Sequence, residues 1–390
     1  MTQLLASRIT QLARKYSDAT HAGAEATEII RSISATCTEL NAVVSSPETW
    51  VERIALSYNG TVAICILLDL NIFRILLENN GSASLSTLEA VAQHILDEPS
   101  LDLYKLNNRS GYLLDDNSAC WVHYLADVGL KAAASLPQYV RDNRGQIAEG
   151  RHRSAFQMAY DKYTALKSSA DEPFYQYLHS VDPLRGERFD KGLQRHAGGA
   201  AQTSIEDIFD FTYLKPGAVL VDIGGGRGQH SIRIARRHPH VSFIIQDYES
   251  TSPSKEEIDD ESVYRRLQWQ QHDYFNEQPI KGADIYMLSN ILMDNTTGDC
   301  RRILERIAEA MTEKESVLLI DDGIELDNSS KTHSCYGSSM NMHMLAVLGT
   351  LFRTREQWEL LFSQIPGRLE VTGSWPVDGG RIIFEVRKMT

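Results

Sequence analysis

The sequence predicts an α/β protein: a doubly wound, mainly parallel sheet in the C-terminal half, preceded by a mostly helical region. Three observations carry this. From Lys215-Pro216-Gly217 onward, short apolar runs alternate with segments of helical period, the pattern of strands joined by crossover helices. The first of those runs, Ala218 to Asp222, feeds a glycine loop, Gly224-Gly225-Gly226-Arg227-Gly228. At the other end, over residues 1 to about 45, Ala, Leu, Ile and Glu recur at helical spacing with few breakers before Pro47. We therefore divide the chain into a helical N-terminal region (1–115), a helical covering region (116–200) and an α/β domain (201–390).

In chain order, residues 1 to about 45 read as amphipathic helix, and Trp50 to Glu78 continues helical until Asn79-Asn80-Gly81 ends it. Ser84 to His94 reads as a short helix, and Tyr104 to Leu114 as a small hairpin turning at Asn107–Gly111. Residues 118–180 are mostly helical and carry Trp121, Phe156, Tyr160, Phe174, Tyr175 and Tyr177, aromatics that either fill a core or wall an apolar pocket. In the α/β half, strands are expected at VSFIIQD, SVLLIDD and RIIFEVR. Helices are expected after the glycine loop, from Cys300 to Met311, around Met340–Leu348 and at Glu356–Phe362.

A net charge of −13 argues against nucleic acid as partner, since phosphate binding needs clustered Lys and Arg. Arg233, Arg236, Arg237 and His238, and again Arg185, Arg188, Arg195 and His196, read as solvated faces. The five cysteines include no CxxC, so neither a disulfide framework nor a metal site is expected, and a reducing, cytoplasmic setting fits. The N-terminus MTQLLASRITQLARKY spaces its apolar residues and is not a signal peptide. The longest apolar run, Thr61 to Leu70, is too short to span a bilayer.

The loop after the first strand reads as a cofactor cradle. At Gly224, Gly225 and Gly226 the absent Cβ lets backbone approach a ligand, and Asp222 lies just before the turn. Asp247 ends the next strand, where a carboxylate can accept ribose hydroxyls. Asp273-Tyr274-Phe275 then offers an acid for an adenine amino group and aromatics for its ring. A glycine loop with a downstream acid also describes NAD sites, but the GxGxxG spacing fails because residue 229 is Gln, so S-adenosylmethionine (SAM) is favoured.

On VDIGGGRGQHS, FIIQD, HDYF, LSNILMDNTTGDCRRIL, VLLIDD and NMHMLAVLGTLFRTREQWELLF, the last 175 or so residues resemble the catalytic domain of class I O-methyltransferases of fungal secondary metabolism. The resemblance implies a Rossmann-like SAM-binding methyltransferase fold, an N-terminal region with a shortened winged-helix-like piece, and a homodimer. It also exposes three departures. Where the family carries a His-Asp-Trp triplet whose histidine is the base, this chain has Met293-Asp294-Asn295. Where the family carries a Glu that orients that histidine, it has Phe352; the basic residue often found before the triplet is Ser289. A thioether has no useful basicity, so Met293 is not a general base.

The chain thus most resembles the SAM-dependent pericyclases of leporin and ilicicolin type, which bind SAM without transferring methyl. It is expected to cyclise an apolar polyene or pyridone-like substrate. The alternative is a methyltransferase with a different base, or one acting on a nucleophile such as an amine that needs none. Asp294 either handles a proton or caps the following helix. His123 and His343 either donate to substrate or pack. Met293, Phe352, Met340 and Met344 are expected to wall an apolar cavity or to fill core.

Overall fold

The computed structural model describes residues 1–18, 24–44, 46–80, 82–84, 89–93, 95–101, 103–144, 154–163, 174–198, 205–248, 252–313, 315–324, 335–377 and 381–389. The chain divides into two compact units, Met1–Ser110 and Gly111–Thr390.

The first unit holds helices α1 (Thr2–Asp18), α2 (Ala24–Val44), α3 (Pro47–Leu56), α4 (Tyr58–Asp69) and α5 (Ile72–Glu78), strand β1 (Ser82–Ser84), the short α6 (Glu89–Ala92), and strands β2 (Asp97–Ser100) and β3 (Leu103–Lys105). The three strands form an antiparallel sheet in the order β1-β3-β2. The helical stretch before Asn79 is broken rather than continuous, because Asn71 takes a left-handed conformation (φ 55°) that its short polar side chain tolerates. The expected hairpin at Tyr104–Leu114 does not form. Asn107 Oδ1 accepts from the backbone N–H groups of Arg109 (3.0 Å) and Ser110 (2.9 Å), and this side-chain turn opens a 3₁₀ segment, Ser110–Leu114, in place of a return strand. No single helix among the described residues is long and apolar enough to cross a membrane.

The second unit begins with helices: α7 (Asp116–Tyr124), a π-helical turn (Leu125–Gly129), α8 (Leu130–Asp142), α9 (Ala155–Tyr163), α10 (Phe174–Gln176), a second π-helical turn (Tyr177–Val181) and α11 (Pro183–Gly198). Their core holds five of the six aromatics read from the sequence, Trp121, Phe156, Tyr160, Phe174 and Tyr177, joined by Tyr124 and Phe189, while Tyr175 is exposed. After α12 (Ile205–Ile208) come β4 (Ala218–Ile223), α13 (Gln229–Arg237), β5 (Val241–Asp247), α14 (Lys255–Ile258), α15 (Glu261–Tyr264), β6 (Leu267–Gln271), β7 (Ile285–Ser289), a 3₁₀ turn (Leu292–Asp294), α16 (Thr297–Ala310), β8 (Val317–Ile324), α17 (Cys335–Leu348), α18 (Arg355–Ser363), β9 (Leu369–Pro376) and β10 (Arg381–Lys388).

The seven strands run in the order β6-β5-β4-β7-β8-β10-β9. All neighbours are parallel except β10, which is antiparallel to both β8 and β9. Apolar side chains cover both faces, which is why the central strands read as continuous apolar runs. Along β7, Tyr286 and Leu288 join one core layer under α16 and α18, while Ile285 and Met287 join the other against α13. Winding reverses between β4 and β7, so the loops leaving these two strands flank one crevice at the carboxyl edge of the sheet, where such folds bind ligands.

Of the arginines expected on solvated faces, Arg236 and Arg237 are exposed, while Arg233, Arg185 and Arg188 are partly buried. Arg233 pairs with the buried Glu206 at 2.5 Å, and Arg237 donates to the Glu206 carbonyl (2.9 Å) and to Asp207 (2.6 Å). In the helical region Arg185 bridges Asp127 and Asp182, and Arg188 Nη1 donates to His123 Nδ1 at 2.7 Å. The side chains of Arg195 and His196 lie outside the described residues.

Candidate active site

The loop after β4 is shaped from beneath by Asp222. This carboxylate is buried and takes a hydrogen bond from Ser231 Oγ at 2.7 Å, and burial holds its pKa up. A Cβ at Gly225 would lie 2.6 Å from Asp222 Cγ and 2.8 Å from Ile245 Cγ2, so only glycine fits there. Gly226 has φ 54°, which turns its N–H onto Asp247 Oδ2 at 2.8 Å. The acid at the end of β5 and the loop are thus one rigid piece, with Asp247 half-buried at the crevice.

Asp273 Oδ1 accepts from the Phe275 N–H (2.9 Å). The two aromatics that follow divide their roles. Phe275 packs against the core beneath the Arg302 guanidinium, 4.7 Å from its ring centroid, so one face is already covered. Tyr274 bonds Asn295 and feels the charges of Asp294, Asp273 and Asp247, which places it between the cofactor loop and the loop after β7.

That second loop carries the Met-Asp-Asn departure. The Met293 N–H is held by both oxygens of Asp322, at 2.9 and 3.1 Å. Met293 itself is half-buried and offers only its thioether. Asp294 does not cap α16: Thr296 does so, accepting from the Asp299 N–H. Asp294 instead accepts a short hydrogen bond from the Tyr175 hydroxyl. Burial pushes its pKa up to about 7, partly offset by that hydrogen bond. Behind it, the fully buried Asp322 is pushed up to about 8 by burial and then by the charge of Asp294. Near neutral pH the two acids together hold about one proton.

Arg353 gives its terminal nitrogens to the carbonyls of Leu292 (2.9 Å) and Asn295 (2.7 Å) and lies over Trp358. It thereby fixes the loop backbone and makes no ion pair with either acid among the described residues. Ser289, at the end of β7, lies 3.3 Å from His230 Nε2 and 3.4 Å from Asp321 Oδ2.

The remaining sequence candidates separate. His343, on α17, lies 3.1 Å from the Tyr124 hydroxyl and packs against Gly129, where a Cβ would sit 3.1 Å from the ring. Burial lowers its pKa to about 4, so the imidazole is neutral. His123 is buried and engaged with Arg188. Met340 packs on the aromatic core of the helical region, and Met344 and Phe352 are buried. The Phe352 N–H donates to Asn341 Oδ1 at 2.9 Å.

Sequence inspection missed Asp322 and Arg353. Asp322 was findable, because SVLLIDD ends in acids at a strand's C-terminus, the same signal that marks Asp222 and Asp247.

A cradle that admits no Cβ at Gly225, backed by a carboxylate at the end of the next strand, fits SAM as these residues stand, and with the switch-point topology it defines a SAM-dependent methyltransferase site. The comparisons agree. An O-methyltransferase domain model matches residues 139–365. The chain is 49% identical over 404 residues to the N-methyltransferase nanE of Aspergillus nanangensis, covering 99% of this chain and 98% of that one. Two solved structures share the fold. OxaC has a TM-score of 0.79 at 18% identity, covering 100% of this chain and 99% of that one. A pericyclic reaction enzyme has a TM-score of 0.74 at 20% identity, covering 100% of both. The chain belongs to the O-methyltransferase domain family, as a SAM-dependent, methyltransferase-like enzyme.

Proposed function

We propose that this protein transfers a methyl group from SAM to a nitrogen of a small molecule. The observation that carries this is the acid pair in place of a histidine base. Asp294, held near neutral pKa beside Tyr175, can take a proton from an acceptor that is already fairly acidic or basic enough to need little help. An alkyl hydroxyl is neither. The 49% relative named as an N-methyltransferase supports the same reading.

The pericyclic activity expected from the sequence rests on the Met293 and Phe352 replacements. Its structural neighbours, at about one-fifth identity, speak to fold alone. Methyl transfer, the alternative weighed there, is the better supported.

SAM, when bound, supplies an electrophilic methyl on a sulfonium that leaves as a neutral thioether. Gly225, Gly226 and Asp247 would hold it, with Tyr274 at its acceptor side. Around Asp294 stand the hydroxyls of Tyr175, Tyr274 and Tyr124, whose ring contacts Phe189 and Trp121. Tyr175 and Tyr274 would orient a planar acceptor, and Asp294 would accept the nitrogen's proton. The test is to incubate the full chain with SAM and a panel of aryl and alkyl amines, following S-adenosylhomocysteine and product mass. Equimolar S-adenosylhomocysteine and N-methyl product support the reading; its absence with every amine opposes it.

We also propose that the first unit's helices associate with a second copy. Leu4, Val51, Ile54, Leu56 and Leu77 leave apolar surface exposed there. Sedimentation should give twice the chain mass, and a monomer at micromolar concentration would refute it.

A further inference from the structure

We infer that the acceptor enters as a cation: a basic amine bound in its protonated form, not an amide or indole N–H. This rests on the N-methylation reading and narrows it to a substrate class.

Three independent features lead to it. First, the outer acid of the pair lacks a cation. Among the described residues no Lys, Arg or His nitrogen pairs with Asp294, which accepts from the Tyr175 phenol. Asp322 behind it accepts from backbone N–H groups and also feels the charge of Arg353, whose terminal donors go to backbone carbonyls. The half-buried Asp294 carboxylate is left for a ligand to balance, and a charge of this kind is costly without a partner.

Second, the acid borders an aromatic core through Tyr175. Tyr175 touches Phe174 (5.2 Å between centroids) and Phe189 (5.8 Å). Phe189 touches Tyr124 (4.9 Å), and Tyr124 touches Trp121 (5.3 Å). Aromatic faces around an acid are the chemistry that recognises ammonium groups.

Third, the titratable groups beside Asp294 bring it no positive charge, while the charge of Arg353 acts on Asp322. Tyr124 and Tyr175 are held well above the ordinary phenol range, by burial first and by Asp294 second. His343, against Tyr124, is kept neutral by burial. Cys300, beneath the loop, is pushed up to about 12.

The proton step then balances within the protein. An N–H bond of the ammonium breaks and its electron pair stays on nitrogen. The proton forms an O–H bond on Asp294, so ammonium and carboxylate become amine and acid. The nitrogen lone pair is freed where Tyr274 and the cofactor loop converge. An amide N–H brings no charge to satisfy the pair, and its lone pair is delocalised.

The test uses two probes of one shape, benzyltrimethylammonium and its uncharged carbon isostere neopentylbenzene. Each is titrated into the full chain saturated with S-adenosylhomocysteine. The charged probe should bind at least tenfold more tightly at pH 8. Because neither probe titrates, any pH dependence belongs to the protein. The preference should therefore shrink severalfold by pH 6, as Asp294 takes up its proton, while the isostere's affinity holds. In Asp294→Asn the preference should vanish. No preference in the wild type, no binding of the charged probe, or an equal change in both probes would overturn the inference. Methylation of an uncharged amide or indole nitrogen would overturn it too, while leaving N-methyl transfer standing.

Discussion

Gly225→Ala isolates the cofactor cradle from everything else in the protein. The added Cβ would lie 2.6 Å from Asp222 Cγ and 2.8 Å from both Asp222 Oδ2 and Ile245 Cγ2. Comfortable carbon contacts lie at about 3.5–4.0 Å, so roughly 1 Å must be found. Asp222 does not yield easily: it is buried and bonded to Ser231 at 2.7 Å, and Ile245 sits within β5. The loop must therefore lift, pulling the Gly226 N–H from Asp247, now at 2.8 Å. Overpacking of this kind costs about 1–3 kcal/mol. At about 1.4 kcal/mol per tenfold, SAM and S-adenosylhomocysteine should bind roughly 5- to 150-fold more weakly, as read by calorimetry. Gly226→Ala is the companion. Its Cβ meets nothing within 4 Å, and it is strained only by φ 54°, at about 1–2 kcal/mol. Cofactor affinity within twofold of wild type in Gly225→Ala, with an unchanged Tm, would refute the cradle argument.

Other expectations concern the acid pair. Asp294→Asn should lower the rate of S-adenosylhomocysteine formation by about 10²- to 10⁴-fold, the usual worth of a positioned proton acceptor, whereas Met293→Leu should stay within about threefold. Tyr175→Phe removes the hydrogen bond that favours the Asp294 carboxylate, so the acid limb of the rate profile, expected near pH 7, should move to higher pH. Asp322 has a folded pKa raised from 3.8 to about 8. The native state therefore binds its proton more tightly than the unfolded chain does. That stability is fully present below about pH 4 and is lost as pH rises through about 8. Asp322→Asn should accordingly raise Tm at pH 8.5, with the advantage fading towards pH 5; a lower Tm at pH 8.5 would contradict the sign.

Features specified by neighbouring residues were legible in the sequence. The strand into Gly224-Gly225-Gly226, the acid closing the next strand and the alternation of strands and helices are local patterns, and the sheet forms as expected. Strand β9 was overlooked because Leu369–Pro376 is half-exposed and irregular in its alternation; the turn residues Asp378-Gly379-Gly380 before β10 were the available signal. What the sequence hid were partnerships across distance. Tyr175 reaches Asp294 from 119 residues away, and Arg185 reaches Asp127 from 58. Neither cluster announced the buried acid that Arg233 or Arg185 reaches, although Arg236 and Arg237 are exposed as read. Met293 where the resembled family carries histidine was legible in the sequence. That Asp322 pairs with Asp294 needed the fold, which brings the end of β8 beneath the residues after β7.

The measurement that bears most directly on nitrogen methylation is a mass balance on one turnover mixture. The purified chain, SAM and a basic arylalkylamine acceptor are incubated together, and S-adenosylhomocysteine and product are quantified side by side. We expect one S-adenosylhomocysteine per acceptor, with the product heavier by one methyl group carried on nitrogen. Conversion of a polyene substrate to a product of unchanged mass or lighter by water, with SAM unconsumed and no amine methylated, would contradict the account and restore the pericyclic alternative.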